Sequence, residues 1–242
     1  MKKKILMVGN TNGLRGVPAD MHDYYSFFTS PIGGNWCDEE IDRLWNPCKR
    51  CLFKKINEIE RADYDYVITI FTGHGGETDS GTVLNINGRK ERIVLNDLTN
   101  LSRKQLLIFD CCRHPVLIPF DIKAEGTILS MSRDPIRKEY ENRILASGQQ
   151  KIILFACDRG EYAEDTGYGG LYSQCLLIAT ETELANSDSP FVSVSRAHYE
   201  AVALMKREKA VMRQHPQILQ SHCAIQRRLP LAINPNFWNV YD

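Results

Sequence analysis

The sequence predicts an α/β protein whose mostly parallel sheet carries helices on both faces. Near-continuous apolar runs at 66–71 and 105–109 are typical of strands that are covered on both sides. Such runs alternate along the chain with helix-like segments, which is the order that crossover connections between parallel strands require. With 242 residues, of which 43% are hydrophobic and 25% charged, the chain can bury one large core.

Each element is predicted from its local pattern, in chain order. Strands are expected where short apolar or β-branched runs are bounded by turn residues: 5–8, 40–45, 64–71, 104–110, 151–156 and 229–233. Helices are expected where apolar residues recur at helical spacing: 18–28, 47–61, 171–184 and 192–212. The segments 82–86 and 92–95 flank Asn87-Gly88, which is the signature of a β-hairpin.

The stretch between residues 115 and 150 breaks this alternation. It is polar and contains several basic residues, namely Arg133, Arg137, Lys138 and Arg143. A connection of this length inside a compact domain is typically functional or mobile. Residues 116–150 are therefore predicted to be a mobile linker within a single domain that spans residues 1–242.

The charge balance and the N-terminal sequence argue against several classes of protein. Thirty basic and thirty acidic residues cancel, which indicates neither a nucleic-acid partner nor a membrane partner. The apolar run 5–8 is too short for a signal peptide, and no run approaches the length of a transmembrane helix. The expected location is the cytoplasm, where the eight cysteines are expected to be reduced thiols.

The motif Cys48-x-x-Cys51 has the spacing of a redox or zinc site. Asn46 is expected to cap the second helix, with Pro47 at its first position. Both cysteines then fall on the apolar stripe of that helix, and a buried cysteine behaves as a small hydrophobic side chain. No second pair of cysteine or histidine ligands completes a zinc site. Core packing is preferred, and a thiol-redox or metal-binding protein is kept as an alternative.

A histidine and a cysteine pair come directly after two predicted strands. His74 follows strand 64–71 in a glycine-rich turn, and Cys111-Cys112 follow strand 104–110. Reactive groups in an open α/β sheet collect at the carboxyl ends of its strands. A thiol nucleophile needs a base beside it, and His74 is placed to act as that base. Strand alternation sends Cys111 and Cys112 to opposite faces, so only one of them can face His74.

These motifs resemble those of the caspase-like cysteine peptidases of the C14 type, closer to metacaspases and paracaspases than to animal caspases. The resemblance spans almost the whole chain and covers five segments: Gly73-His74-Gly75, Asp110-Cys111-Cys112, Phe155-Ala156-Cys157, Gly169-Gly170-Leu171-Tyr172 and His215-Pro216-Gln217. It implies a caspase-hemoglobinase fold with a six-stranded sheet. It also implies a large-subunit-like part at 1–115, an activation segment at 116–150 that self-cleavage can cut, and a small-subunit-like part at 151–242.

The same resemblance implies roles for the residues at the two strand ends. Cys112 takes the position of the nucleophile and His74 that of the base, with Cys111 as a packing residue. The backbone N–H groups of Gly75 and Cys112 are expected to form the oxyanion hole. Arg113, which follows the nucleophile, departs from the metacaspase pattern and is similar to the arginine of animal caspases.

Three carboxylates match the acidic positions with which metacaspases and paracaspases hold a basic side chain in the S1 pocket: Asp20, Asp110 and Glu161. Carboxylates bind a guanidinium through charge-assisted, bidentate hydrogen bonds. Cleavage after arginine or lysine at the P1 position is therefore expected, not cleavage after aspartate. No cofactor is expected, and calcium activation, which occurs in many metacaspases, has no site that can be mapped on these residues.

The resemblance also bears on partners. A protein substrate is expected, and similarity to stand-alone bacterial members implies a role in regulated cell death or antiphage defence, with a pore-forming effector as a candidate substrate. The activating partner is not identified by any motif. A catalytically silent caspase-like adaptor is the main alternative, against which the intact His74 and Cys112 argue.

Overall fold

A six-stranded sheet forms the centre of the computed structural model, which describes residues 1–79, 81–115, 135–208, 213–220, 224 and 227–237. The strands of the protein are β1 (Lys3–Gly9), β2 (Ile41–Trp45), β3 (Tyr66–Thr72), β4 (Gly75–Thr78), β5 (Gly81–Asn85), β6 (Arg92–Val94), β7 (Lys104–Asp110), β8 (Gln150–Phe155), β9 (Phe191–Ser193), β10 (Gln217–Gln220) and β11 (Pro230–Ile233). The helices are α1 (Val17–Thr29), α2 (Lys49–Ala62), α3 (Pro135–Ala146), α4 (Leu171–Asn186) and α5 (Val194–Glu208).

The order of strands in the large sheet is β10-β8-β7-β3-β1-β2. Neighbouring strands are parallel, except that β10 runs antiparallel to β8. The predicted mostly parallel sheet is thus confirmed. Its sixth strand, β10, was missed because only four residues form it and two of them are polar glutamines.

Two hydrophobic clusters cover the two faces of this sheet. One contains buried side chains of α1, α3, α4 and α5, such as Phe28, Tyr140 and Tyr172. The other contains side chains of α2 and of the β5 strand, such as Leu52 and Leu84. The prediction of helices on both faces is confirmed. Among the helices that the structure describes, none has both the length and the apolar character needed to cross a bilayer.

Two small sheets complete the described part of the fold. The predicted hairpin is present as β5 and β6, and β4 adds a third, antiparallel strand to it. The strand predicted at 229–233 is present as β11, which pairs with β9 in a two-stranded sheet instead of joining the large one. Helix α5 begins at Val194, and residues 209–212 of its predicted range lie outside the described residues.

Helix α3 corrects the prediction of a linker for part of the segment 116–150. Arg137 in α3 is 3% exposed and donates from Nη2 to Glu40 Oε1 at 2.5 Å, while Tyr140 is fully buried. This helix was not predicted because the spacing of apolar residues treats every arginine as exposed, whereas Arg137 is buried and ion-paired. Residues 116–134, including Arg133, lie outside the described residues.

The beginning of α2 also differs from the prediction. The helix begins at Lys49, and its N-cap is Cys48, whose sulfur accepts a hydrogen bond from the Cys51 backbone N–H at 3.1 Å. Cys48 is half-buried, Cys51 is exposed, and the two form a disulfide. The prediction of packed, reduced thiols is therefore wrong for this pair. The apolar stripe of α2 includes neither cysteine, because Cys48 precedes the helix and Cys51 lies on the exposed side of its first turn.

Candidate active site

The carboxyl ends of β1, β3 and β7 meet at one edge of the large sheet because these strands are paired in register. Thr72, the last residue of β3, lies opposite Gly9 of β1 on one side and Asp110 of β7 on the other. A cavity of about 40 Å³ lies at this edge. Its lining includes His74, Cys112, Asp20, Asp110, Glu164 and Asp165. The structure thus brings together four of the predicted site residues.

His74 is half-buried and has a defined ring partner. Its Nε2 lies 2.5 Å from the backbone carbonyl oxygen of Asn12, in the turn that follows β1. Because a carbonyl only accepts hydrogen bonds, Nε2 carries the proton, which leaves Nδ1 as the basic nitrogen of the neutral ring. The Asn10 side chain holds this turn, since it donates to Asn85 O at 2.6 Å and accepts from Asn12 N at 3.1 Å. Asn12 was missed in the sequence because its contribution comes from the backbone.

The two adjacent cysteines have different surroundings. Cys111 is 2% exposed and belongs to the cluster that covers the α2 face of the sheet. Cys112 is half-buried, lines the cavity, and its thiol donates to the Ala163 carbonyl at 3.8 Å. Burial raises the pKa of the Cys112 thiol, and that of Cys111 still further. The thiol facing the cavity is therefore protonated at rest and needs a proton acceptor before it can attack.

Gly75 begins β4 directly against the cysteine pair. A Cβ atom at this position would lie 2.6 Å from Cys111 Sγ and 2.8 Å from the Cys112 carbonyl oxygen. Contacts this short do not occur with backbone atoms, so only glycine lets β4 approach the cysteines so closely. This close approach is the condition that the predicted oxyanion hole, formed by the N–H groups of Gly75 and Cys112, requires.

A Gly75→Ala substitution is expected to destabilise the protein by about 1–3 kcal/mol and to slow reactions of the Cys112 thiol, because β4 must move away from Cys112. Urea unfolding and a rate assay would measure both effects. Gly148→Ala is a matched control, since a Cβ at Gly148 meets nothing within 4 Å. Wild-type stability and rate in the Gly75→Ala variant would contradict the tight fit.

Two buried carboxylates complete the cavity. Asp20, in the first turn of α1, is 3% exposed and accepts from Gly170 N at 2.8 Å and from Thr72 Oγ1 at 2.5 Å. Asp110 is 6% exposed and accepts from the backbone N–H and the hydroxyl of Ser173, at 3.0 and 2.7 Å. Each carboxylate is thus fixed by donors at the start of α4. The roles of Thr72 and Ser173 as hydrogen-bond donors to these carboxylates could not be predicted from the sequence, because the contacts join distant parts of the chain.

The electrostatics of this pair are unfavourable when both groups are ionised. Burial raises the pKa of Asp20, and the nearby Asp110 carboxylate raises it further. Burial likewise raises the pKa of Asp110, and Asp165 adds repulsion at both sites. Part of the pair therefore holds a proton near neutral pH. A cation that entered the cavity would displace that proton and relieve the repulsion.

An Asp20→Asn variant is expected to be more stable than the wild type, by an amount that grows as the pH rises. The pKa of Asp20 is higher in the folded protein than the value of about 3.9 in an unfolded chain. Stability is therefore lost as the pH rises from about 4 through the folded pKa, and asparagine removes this loss. Urea unfolding at pH 5 and pH 8 would measure this effect. The stability gained by Asp20→Asn is expected to be at least about 1 kcal/mol larger at pH 8 than at pH 5. Equal gains at both pH values would contradict the raised pKa.

Glu161, the third carboxylate predicted for the S1 pocket, lies elsewhere. Its Oε1 is 2.5 Å from His215 Nδ1, and its Oε2 accepts from the His215 backbone N–H at 2.7 Å. The carboxylates that line the cavity from this loop are Glu164 and Asp165 instead, and Asp165 Oδ2 accepts from Gly16 N at 3.2 Å. The direction of the Glu161 side chain could not be predicted, because an irregular loop lacks the repeating geometry of a helix or strand.

Arg113, which departs from the metacaspase pattern, is buried directly after Cys112. Its Nε lies 3.3 Å from Glu77 Oε2, and its guanidinium carbon lies 4.0 Å from the centre of the Phe155 ring. Its backbone N–H donates to the Glu161 carbonyl at 3.0 Å. Arg113 is not among the described residues that line the cavity. It therefore supports the loop that carries Cys112 and does not face the cavity.

Calcium activation, one of the expectations from the sequence, would require a metal site in the protein. Within the described ranges, no three histidine, cysteine, aspartate or glutamate side chains are grouped so that they could hold a metal ion. The two buried aspartates of the cavity already accept hydrogen bonds from the protein. Calcium activation stays an expectation, with no site mapped on the described residues.

Comparison with known proteins agrees with this geometry. A family model described as the caspase domain matches residues 2–225. Protein GSU0716 from Geobacter sulfurreducens is similar in structure, with a TM-score of 0.56, 15% identity, and coverage of 95% of this chain and 97% of that one. Caspase-1 from Spodoptera frugiperda has a TM-score of 0.54, 16% identity, and coverage of 90% and 86%. No curated protein matches the chain. Because the family model spans nearly all of the sequence, this chain belongs to the caspase domain family of peptidases.

Proposed function

We propose that this protein is a cysteine endopeptidase in which His74 and Cys112 form the catalytic dyad and which cleaves after arginine or lysine. The observation that carries the proposal is one cavity lined by a histidine, a half-buried thiol and two buried carboxylates, Asp20 and Asp110. A dyad next to an acidic pocket fits cleavage beside a basic side chain. This arrangement also favours a working enzyme over a silent adaptor.

The proposed reaction begins when His74 Nδ1 takes the proton of the Cys112 thiol. The thiolate attacks the scissile carbonyl carbon, and the N–H groups of Gly75 and Cys112 stabilise the oxyanion. The imidazolium then gives its proton to the leaving amine, and a thioester is formed. Water, deprotonated by His74, hydrolyses the thioester and restores the thiol. The Asn12 carbonyl holds the ring throughout through its bond with Nε2.

The charge of the cavity supports a basic P1 residue. No lysine or arginine is among the described residues that line it, whereas an aspartate at P1 would need a cationic partner. A guanidinium would pair with Asp20 and Asp110 and displace the proton that they share.

A panel of fluorogenic peptides that differ only in the P1 residue would test the proposal. Turnover of the arginine and lysine peptides, with none of the aspartate peptide, is expected. Turnover of the aspartate peptide alone would overturn the assignment of specificity, and turnover of no peptide by a folded protein would favour the silent adaptor. Sequencing the new protein termini produced by the wild type and by a Cys112→Ala variant would then identify the protein substrate.

Several finer expectations stay predictions from the resemblance. These are the closeness to metacaspases and paracaspases, a pore-forming effector as substrate, a role in regulated cell death or antiphage defence, and a location in the cytoplasm. Self-cleavage within 116–150 is limited by α3, because the buried, ion-paired Arg137 is not accessible to a protease. A cut is therefore expected N-terminal to α3, where Arg133 lies.

A further inference from the structure

The disulfide between Cys48 and Cys51 lies at the N-terminus of α2, on the surface of the protein. Cys51 is exposed and Cys48 is half-buried, so a reductant in solution reaches the bond. A disulfide that closes so short a loop restricts the unfolded chain less than one that closes a long loop. Its contribution to folding is correspondingly small, and this leaves redox chemistry as the use that its position favours.

The surroundings of the bond stabilise one of its two sulfurs as a thiolate. Cys48 Sγ accepts the Cys51 backbone N–H at 3.1 Å, at the positive end of a helix of 14 residues. Lys49 and Arg50 lie between the two cysteines, and the first turn carries no acidic residue. A helix N-terminus and nearby cationic side chains stabilise a cysteine thiolate and so make it a good leaving group. Cys48 is therefore the sulfur that leaves when the bond is reduced.

Hydrogen bonds and short stretches of backbone together connect this disulfide to His74. Asn46, two residues before Cys48, has a left-handed backbone conformation.

 The φ angle of Asn46, +44°, lies in the left-handed region, where asparagine needs partners to hold it. Its side chain provides them, because Asn46 Oδ1 accepts from Thr11 N and Nδ2 donates to Thr11 Oγ1, both at 2.9 Å. Thr11 precedes Asn12, whose carbonyl oxygen orients the His74 ring.

A second set of contacts reaches His74 from the other side. Asn87, in the turn between β5 and β6, donates from Nδ2 to the carbonyl oxygen of Pro47 at 2.7 Å. Earlier in the same hairpin, the Asn85 backbone N–H donates to the His74 carbonyl at 2.9 Å. Residues 46 and 47, which precede the disulfide, therefore contact both segments that hold His74.

We propose that Cys48 and Cys51 form a reversible redox site that exchanges with dithiols and controls the alignment of His74. In the oxidised form, the bond restrains the first turn of α2 and the two residues before it. This restraint keeps Asn46 against Thr11, and so keeps the Asn12 carbonyl against His74 Nε2. Reduction removes the restraint, lets Asn46 relax, and lowers the ability of His74 to activate Cys112. This effect on Cys112 rests on the proposed function.

The exchange balances with a dithiol as the co-reactant. One thiolate of the dithiol attacks the exposed Cys51 Sγ, the disulfide breaks, and Cys48 leaves as a thiolate that takes up a proton. The second thiol of the dithiol, after losing its proton, attacks the dithiol's own sulfur in the mixed disulfide, and Cys51 is released as a thiol. Two electrons and two protons pass to the protein, and the dithiol becomes a cyclic or intramolecular disulfide.

The first test follows the redox state of the pair in full-length protein that carries Cys112→Ala. The protein would be equilibrated with mixtures of reduced and oxidised dithiothreitol, quenched with acid, alkylated and analysed by mass spectrometry. Cys48 and Cys51 are expected to become alkylated together and reversibly, while circular dichroism shows that the protein stays folded. A pair that resists reduction until the protein unfolds would overturn the proposal, as would a pair that is alkylated fully without reductant.

The second test measures the rate at which iodoacetamide alkylates Cys112. A Cys48→Ser/Cys51→Ser variant and reduced wild type are expected to react more slowly than oxidised wild type, by about fivefold or more. Dithiothreitol should have no effect on the rate in the double variant, which controls for other thiols. If His74→Ala slows alkylation but the double variant does not, the coupling proposed here is overturned. If His74→Ala does not slow it, the dyad of the proposed function fails instead.

Discussion

Replacing Cys112 with alanine is expected to reduce peptidase activity to the background rate, because Cys112 is the half-buried thiol of the cavity, whereas Cys111, which also contributes to the lining, is only 2% exposed. Cys111 is its natural control. That side chain is buried in the core, so Cys111→Ala should lower stability and leave the chemistry of the reaction intact. A rate assay with an arginine peptide, together with urea unfolding, would separate the two effects.

His74→Ala is expected to lower kcat by about 10²–10⁴-fold, which is the usual contribution of a general base. The loss should be accompanied by slower alkylation of Cys112, since the thiol has its pKa raised by burial and depends on the histidine to lose its proton. Retention of activity in Cys112→Ala, or its loss in Cys111→Ala at unchanged folding, would reassign the nucleophile.

Substitution of the buried carboxylates is expected to have the second largest effect, on substrate choice. Asp110→Asn and Asp20→Asn should each lower kcat/KM for an arginine peptide by about 10²–10³-fold, because each leaves a buried guanidinium without one of its charged partners. A peptide with citrulline, the uncharged analogue of arginine, should be affected much less by either change. Comparing the two peptides in each variant isolates the charge interaction.

Glu161→Gln is the matched control for this experiment. It also neutralises a carboxylate, but that carboxylate binds His215 and does not line the cavity. Its kcat/KM for the arginine peptide should stay within about threefold of wild type, in line with the small effect of an exposed ion pair. A loss equal to that of Asp110→Asn would return Glu161 to the S1 pocket.

The Asp20 and Asp110 carboxylates are expected to lower the stability of the protein while they raise its activity. Asp20→Asn is expected to gain stability at pH 8 while it loses activity toward arginine peptides. A loss of activity in a more stable protein cannot be attributed to unfolding. Residues that destabilise a fold and are retained at a cavity are typical of functional sites, where binding a ligand relieves the unfavourable charge.

Much of the fold could be predicted because its signals are local. The strands β3 and β7 are continuous apolar runs, and a parallel sheet covered on both faces is where such runs are stable. Helix α3 and strand β10 had no such signal. The first carries a buried arginine, and the second is a short strand at the edge of the sheet. Both depend on partners that are distant in the sequence.

The candidate site divides in the same way. The sequence by itself determined that His74, Asp110 and Cys112 follow strand ends, and parallel pairing brings such ends to one edge. Only the tertiary structure decided that the Asn12 carbonyl holds the histidine, that Glu164 and Asp165 line the cavity while Glu161 does not, and that Cys48 and Cys51 are bonded at a helix terminus. These contacts involve backbone atoms, irregular loops and a helix start. Their geometry is set by packing between distant segments, and no periodic pattern in a sequence records it.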